Sequence, residues 1–150
     1  MTIIETGFFV DTRGLSPDAV GRIRTAIAAE QVNPVVLGWS AAAAEEFMER
    51  LSASGSRVQY AAIREAAKAP QALPRTRIYE IAGWEEEGSN ARSLRGFTRP
   101  INDLWKGMKA EGSIPQSAAV PLAPVYDGKV RGYQKAKSFE VPNVLKPLFA

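Results

Sequence analysis

The stretch ARSLRGFTRPINDLWKGMKAEG, residues 91–112, decides how the chain is organised. Pro100 lacks a backbone donor and its ring collides with the preceding turn, so one helix cannot run through the whole stretch. A helix that starts at Thr98 or Arg99 removes the conflict. It puts Pro100 in the first turn, where the amides have no intrahelical acceptor in any case. From there Ile101, Leu104, Trp105 and Met108 recur at the spacing of one buried helical face, and Gly112 closes the segment. The opposite side then carries Arg99, Asn102, Lys106 and Lys109, a polar and mostly cationic stripe.

Upstream of this helix lies the acidic loop of residues 85–90, EEEGSN, preceded by Trp84. Before it, Thr76 starts a short helix through Ile78, Ile81 and Ala82 that stops at Gly83. Residues 57–68 form an amphipathic helix with Val58, Ala61, Ala62, Ile63 and Ala66 inward, halted by Pro70, and residues 70–74 are a connector. Ser40 caps a further helix whose Ala43, Ala44, Phe47, Met48 and Leu51 make an apolar stripe ending at Gly55. Val35, Val36 and Leu37 read as a short strand or a packed linker, separated by Asn33-Pro34 from a helix of about four turns. That helix has Ser16 as cap, Pro17 at its first position, and Val20, Ile23 and Ile27 on one face. Residues 2–10 read as a strand or extended arm.

Downstream, residues 118–134 give two β-compatible arms around Asp127-Gly128, a pair favoured in two-residue hairpin turns because both positions there need positive φ. Pro121 and Pro124 make the first arm an edge or irregular strand, and residues 135–142 continue the second arm or add a third. Tyr126 and Tyr133 bracket the turn as a cross-strand aromatic pair. Phe97 anchors the loop before the central helix, the three tryptophans belong to the core, and the tail of residues 143–150 packs back upon it.

The composition narrows the chemistry. With 150 residues, 45% hydrophobic and 23% charged, the chain suits one domain, or a small domain with an appendage. Cysteine and histidine are both missing, which removes disulfides, thiolate or imidazole metal sites and every Ser-His or Cys-His pair. Glu85, Glu86 and Glu87 are consecutive on one loop, and such carboxylates rarely converge on a metal ion. Neither a phosphate-binding GxxxxGK[ST] nor a GxGxxG occurs. The expectation is a non-enzymatic protein without cofactor or metal. No apolar run is long enough to span a bilayer, and the N-terminus lacks the basic start of a secretory signal, which places the chain in the cytoplasm. The alanine-rich composition fits a GC-rich bacterial or phage genome.

Charge is unevenly distributed. The net charge is +3, yet residues 1–56 hold 4 basic and 7 acidic side chains, whereas residues 57–150 hold 15 basic and 9 acidic. Residues 57–87 balance at five of each sign, so the excess lies in residues 88–150, with ten against four. Lysines and arginines that neutralise phosphates release condensed counterions, so a basic segment of this kind points to a polyanion. Arg99 and Asn102 are side-chain types that bond guanine and adenine edges bidentately. Lys106, Lys109, Arg92, Arg95 and the hairpin's Lys129, Arg131, Lys135 and Lys137 suit phosphates.

Over residues 57–141 the order is helix, short helix, loop, helix, hairpin. That order resembles the winged helix-turn-helix superfamily, in which the third helix enters the DNA major groove and the hairpin, the wing, lies along the backbone or in the minor groove. Two features depart from the pattern: the connection from Gly83 to Thr98 exceeds the usual three or four residues, and the first wing arm carries two prolines. The expected fold is α+β, mainly helical. It comprises a winged-helix-like domain over residues 57–150 and an N-terminal extension of a strand and two helices over residues 1–56, available for homodimer or partner contact. The expected function is binding of double-stranded DNA by a small transcriptional regulator. The alternative is a protein-interaction module, an adaptor, inhibitor or phage accessory protein on the same fold.

Overall fold

The computed structural model describes residues 2–5, 8–11, 13–32, 35–129 and 134–150, with backbone alone for 2–5, 8–11 and 26–32. The chain divides into two compact units, residues 1–35 and 36–150. In the smaller unit β1 (Thr2–Glu5) pairs antiparallel with β2 (Phe8–Asp11), with Glu5 opposite Phe8 and Thr2 opposite Asp11. The one strand expected over residues 2–10 is therefore two. The β-branched and aromatic residues on either side of Thr6-Gly7 satisfy each other's backbone groups. α1 (Pro17–Val32) begins on Ser16, whose hydroxyl accepts the Ala19 amide at 3.1 Å and whose carbonyl accepts that of Val20 at 3.0 Å. The expected break at Asn33-Pro34 lies outside the described residues.

The larger unit opens with a turn where the apolar run suggested a strand or linker. Val36 and Trp39 exchange backbone hydrogen bonds of 2.8 and 2.9 Å, and the two residues between them are left-handed, Leu37 at φ 47° and Gly38 at φ 84°. Tertiary contact explains the choice. A Cβ on Gly38 would lie 2.6 Å from the Ala118 Cα, so only glycine lets the two segments meet. The Ala119 amide donates to the Leu37 carbonyl at 3.0 Å. The indole N–H of Trp39 donates to the Ala119 carbonyl at 2.7 Å, and that of Trp105 to the Ala118 carbonyl at 3.0 Å.

α2 (Ala41–Ala53) is capped by the Ser40 hydroxyl, which accepts the Ala43 amide at 3.1 Å, and it buries Ala43, Ala44, Phe47, Met48 and Leu51 as its spacing predicts. α3 (Arg57–Lys68) buries Ala62, Ile63, Ala66 and Ala67. After a short 3-10 turn at Asn143–Leu145, the tail returns as α6 (Lys146–Phe149) and packs on α2 and α3. Trp39, Phe47 and Phe149 meet edge to face, with ring centroids 5.4, 5.2 and 6.2 Å apart. Burial of each such ring contributes on the order of 1.5–3 kcal/mol relative to leaving it in water. Because α2 spends its apolar stripe in this core, it belongs to the larger unit, and the boundary expected after residue 56 is not where the chain divides.

α4 (Arg75–Ala82) closes at Gly83 with φ 69°. α5 (Arg99–Glu111) follows Thr98, carries Pro100 in its first turn and ends at Gly112 with φ 80°. Ile101 and Met108 are fully buried, whereas Leu104 and Trp105 are half-buried. A bidentate pair, both Arg50–Glu111 bonds at 2.8 Å, ties α2 to the end of α5. Three short strands complete the unit: β3 (Leu73–Pro74), β4 (Ala123–Val125) and β5 (Ser138–Glu140), all antiparallel in the order β3-β5-β4. The connector expected at residues 70–74 thus contributes a strand, and Phe139 of β5 is paired on one side with Leu73 and on the other with Pro124.

The hairpin exists, but not as expected. β4 and β5 are joined by residues 126–137, so Asp127-Gly128 is not a two-residue turn between strands, and neither residue has positive φ. The Gln134 side chain takes the place of a ladder partner: its carbonyl accepts the Asp127 amide at 3.0 Å and its amide donates to the Asp127 carbonyl at 2.8 Å. Among the described residues the architecture is α+β and mainly helical, with six helices, one three-stranded sheet and a separate β1-β2 pair, and no helix is long and apolar enough to cross a membrane.

Candidate nucleic-acid interface

The loop between α4 and α5 is closed on itself. Glu85 and Ala91 form a bridge, the Arg92 amide donates to the Glu85 carbonyl at 2.9 Å, and the Tyr79 hydroxyl donates to the Arg92 carbonyl at 2.6 Å. Leu94 and Phe97 then turn inward, with Phe97 edge-on to Phe139 at 5.4 Å and its carbonyl held by the Gln59 amide at 3.1 Å. Phe97 is the anchor that the sequence suggests. Held in this way, residues 93–98 face the base of the β4–β5 hairpin across a cleft of about 160 Å³.

Cations line that cleft from three elements: Arg95 from the loop, Lys135 from the hairpin and Arg75 from the start of α4. Among the described residues no carboxylate lies in its wall, although Glu86 reaches Arg75 from outside it. Arg75 is a positioning residue. Its guanidinium donates to Glu86 at 3.2 Å, to the Ala136 carbonyl at 3.3 Å and to the Tyr79 hydroxyl at 3.2 Å, and its amide donates to the Lys137 carbonyl at 3.0 Å. One side chain therefore ties α4, the acidic loop and the hairpin together. Sequence reasoning missed it because residues 57–87 are neutral in sum, and only the pairing of β3 with β5 brings Arg75 to the basic region.

The remaining candidates separate into groups. Arg99 and Lys106 stand exposed on α5, two turns apart. Asn102 and Lys109 are half-buried on the flank nearer Trp105, and the Lys109 ammonium sits 3.8 Å above the Trp105 ring centroid. The stripe of four is thus two exposed cations and two shielded residues. The reason is that Trp105 is itself only half-buried and draws Lys109 onto its face. Asp103, which the stripe omitted, shares the exposed face with Arg99 and Lys106. Arg92 is exposed and stacked on Trp84 at 4.3 Å, so Trp84 also serves a cation as well as the core.

On the hairpin, Lys129, Lys135 and Lys137 are exposed, and Lys129 is set by its amide bond of 3.0 Å to the Asp127 carboxylate. Arg131 and Tyr133 lie outside the described residues, and with Tyr133 the expected aromatic pair. Tyr126 is 51% exposed and borders the cleft, a position that its reading as a pairing residue did not suggest.

Two ion pairs tie helices together in the larger unit, Arg77–Glu65 between α4 and α3 and Arg50–Glu111 between α2 and α5. Arg77 on α4 bonds Glu65 on α3 at 2.8 Å and Glu80 at 2.9 Å, and the bond from Arg77 holds the Glu65 carboxyl below its ordinary range. The bond from Arg50 does the same to Glu111. Glu85, Glu86 and Glu87 are exposed, and no group of three or more acidic side chains converges among the described residues. Compared with known proteins, the chain matches no family model, no curated protein and no solved structure.

Proposed function

We propose that this chain is a non-enzymatic DNA-binding protein, a small cytoplasmic transcriptional regulator. In this reading α5 enters the major groove and the β4–β5 hairpin follows the backbone, in the manner of a winged helix-turn-helix protein. The observation that carries the reading is the shared cleft. It brings the segment leading into α5 and the basic hairpin to one place, with cations from both and, among the described residues, no carboxylate in its wall. Exposed Arg99 has the fork geometry for a guanine edge, and Lys106, Lys129, Lys135 and Lys137 are free to meet phosphates. Dimer contact, if the regulator is two-fold, falls to residues 1–35, because α2 is committed to the core of the larger unit.

The test is a fluorescence-anisotropy titration of duplex DNA at two salt concentrations. Six or more phosphate contacts imply a loss of about 10³-fold in affinity between 50 and 200 mM salt. Arg99→Ala is expected to cost about 1–3 kcal/mol at a cognate site. Affinity independent of salt rejects the reading.

A second reading, a protein-interaction module, is favoured by a groove of about 670 Å³ along α2, α3 and α6, lined by Glu45 and Glu49, by Arg64, and by the apolar Met48 and Phe149. In that case Glu45→Lys with Glu49→Lys abolishes co-elution with a basic partner. Unchanged co-elution rejects it.

A further inference from the structure

The cleft between residues 93–98 and the hairpin has a composition that calls for a particular ligand. Arg75, Arg95 and Lys135 reach it from three separate elements; among the described residues its wall holds no acid, and Glu86, which pairs with Arg75, does so from outside that wall. Like charges around a recess with apolar walls raise the local potential and concentrate anions there. Phe97 and Phe139 supply the apolar side, and Thr98 and Ser93 add hydroxyl donors. Gly96, at φ 75° with nothing within 4 Å of where a Cβ would stand, leaves the backbone open to a close approach. A planar guanidinium fork, a mobile ammonium and hydroxyls around one small recess suit an anion with several oxygens pointing in different directions.

We propose that this cleft is a phosphate site, in which Arg95 and Lys135 hold one phosphate group from opposite walls while Arg75, fastened to Glu86, Tyr79 and Ala136, fixes the distance between the walls. As a contact to the DNA backbone it rests on the function proposed above. The same chemistry belongs to the phosphate of a free nucleotide, and the experiment separates the two sources.

The full-length chain, labelled with ¹⁵N, is titrated with inorganic phosphate and, separately, with a duplex of random sequence. Saturable shifts at the amides of Gly96, Thr98 and Ala136 are expected with phosphate. The apparent Kd should rise at least tenfold in Arg95→Gln with Lys135→Gln and stay unchanged in Lys68→Gln, whose lysine is exposed on α3. With DNA, the double variant should flatten the dependence of log affinity on log salt by about one unit per cation removed. Saturation by phosphate without any binding of duplex leaves the cleft as the site of a free phosphorylated ligand and removes the DNA reading. Duplex binding whose salt dependence is unchanged in the double variant, with shifts by phosphate that never saturate, means an adventitious ion only; it overturns the cleft and leaves the DNA reading standing. Should the double variant lose its fold, the wild-type phosphate titration alone decides, since unsaturable shifts overturn the proposal.

Discussion

Leu37-Gly38 and Asp127-Gly128 are both X-Gly pairs set between β-compatible residues, yet only the first makes a turn with two positive φ angles. Local preference points the other way. Asp-Gly is among the best pairs for such a turn, while a leucine in the left-handed region costs about 1–2 kcal/mol. The difference lies in what each pair touches. Leu37-Gly38 is seated on Ala118, receives the Ala119 amide and precedes Trp39, whose indole bonds the Ala119 carbonyl. Among the described residues nothing stands within 4 Å of a Cβ placed on Gly128, and Asp127 is held by Gln134 and by its own bond to the Lys129 amide. One pair is conscripted by the core; the other follows the side chains next to it.

The largest test of this contrast is to add one methyl group at each glycine. Gly38→Ala combines a left-handed backbone with overlap against Ala118 and is expected to cost about 3 kcal/mol, while Gly128→Ala stays within about 0.5 kcal/mol. Urea unfolding midpoints measure both, and equal costs would break the comparison. Next, Trp105→Phe keeps an aromatic side chain, though a smaller one, and removes the donor to the Ala118 carbonyl, for an expected loss of about 1 kcal/mol in the same assay. An unchanged midpoint would mean that the Ala118–Ala119 segment is held from the Trp39 side alone.

Leu37→Asn relieves the strained position with a residue that tolerates it, so a gain of up to about 1 kcal/mol is expected, because Leu37 is 48% exposed and gives little to the core. A loss instead would show that the Leu37 side chain is part of the seat. The smallest effect is acid-dependent and independent of both turns. Because Arg77 lowers the Glu65 carboxyl in the folded state, that pair stabilises fully above the ordinary carboxylate range, about pH 4.3, and its contribution is lost as pH falls through the lower folded value. The stability gap between wild type and Glu65→Gln should therefore close on acidification below about pH 4, in thermal melts taken across that range. A gap that persists at low pH would assign the difference to packing.

Much of the helical framework is legible from local rules. Ser16 and Ser40 cap where their position beside apolar periodicity requires, Gly83 and Gly112 stop their helices left-handed, and Pro100 fits α5 only in its first turn. The buried stripe of α2 is the one its spacing predicts. The candidate site was legible in part. Arg99 and Lys106 are exposed, and Arg95 and Lys135 come to one cleft, but Asn102 and Lys109 are shielded beside Trp105, and Arg75 was not recognised. Amphipathic spacing divides a helix into two sides without saying how far a tryptophan on the border will be covered.

What the sequence determined by itself is where helices begin, end and turn their apolar faces, because those choices depend on groups within one or two turns of each other. Only the tertiary structure decided the two-residue strand at Leu73–Pro74, the turn at Leu37-Gly38, the width of the hairpin and the placing of Arg75 and Lys135 on one cleft. Each of these depends on backbone groups or charges far apart in the chain, whose pairing changes energy only after the core has brought them together.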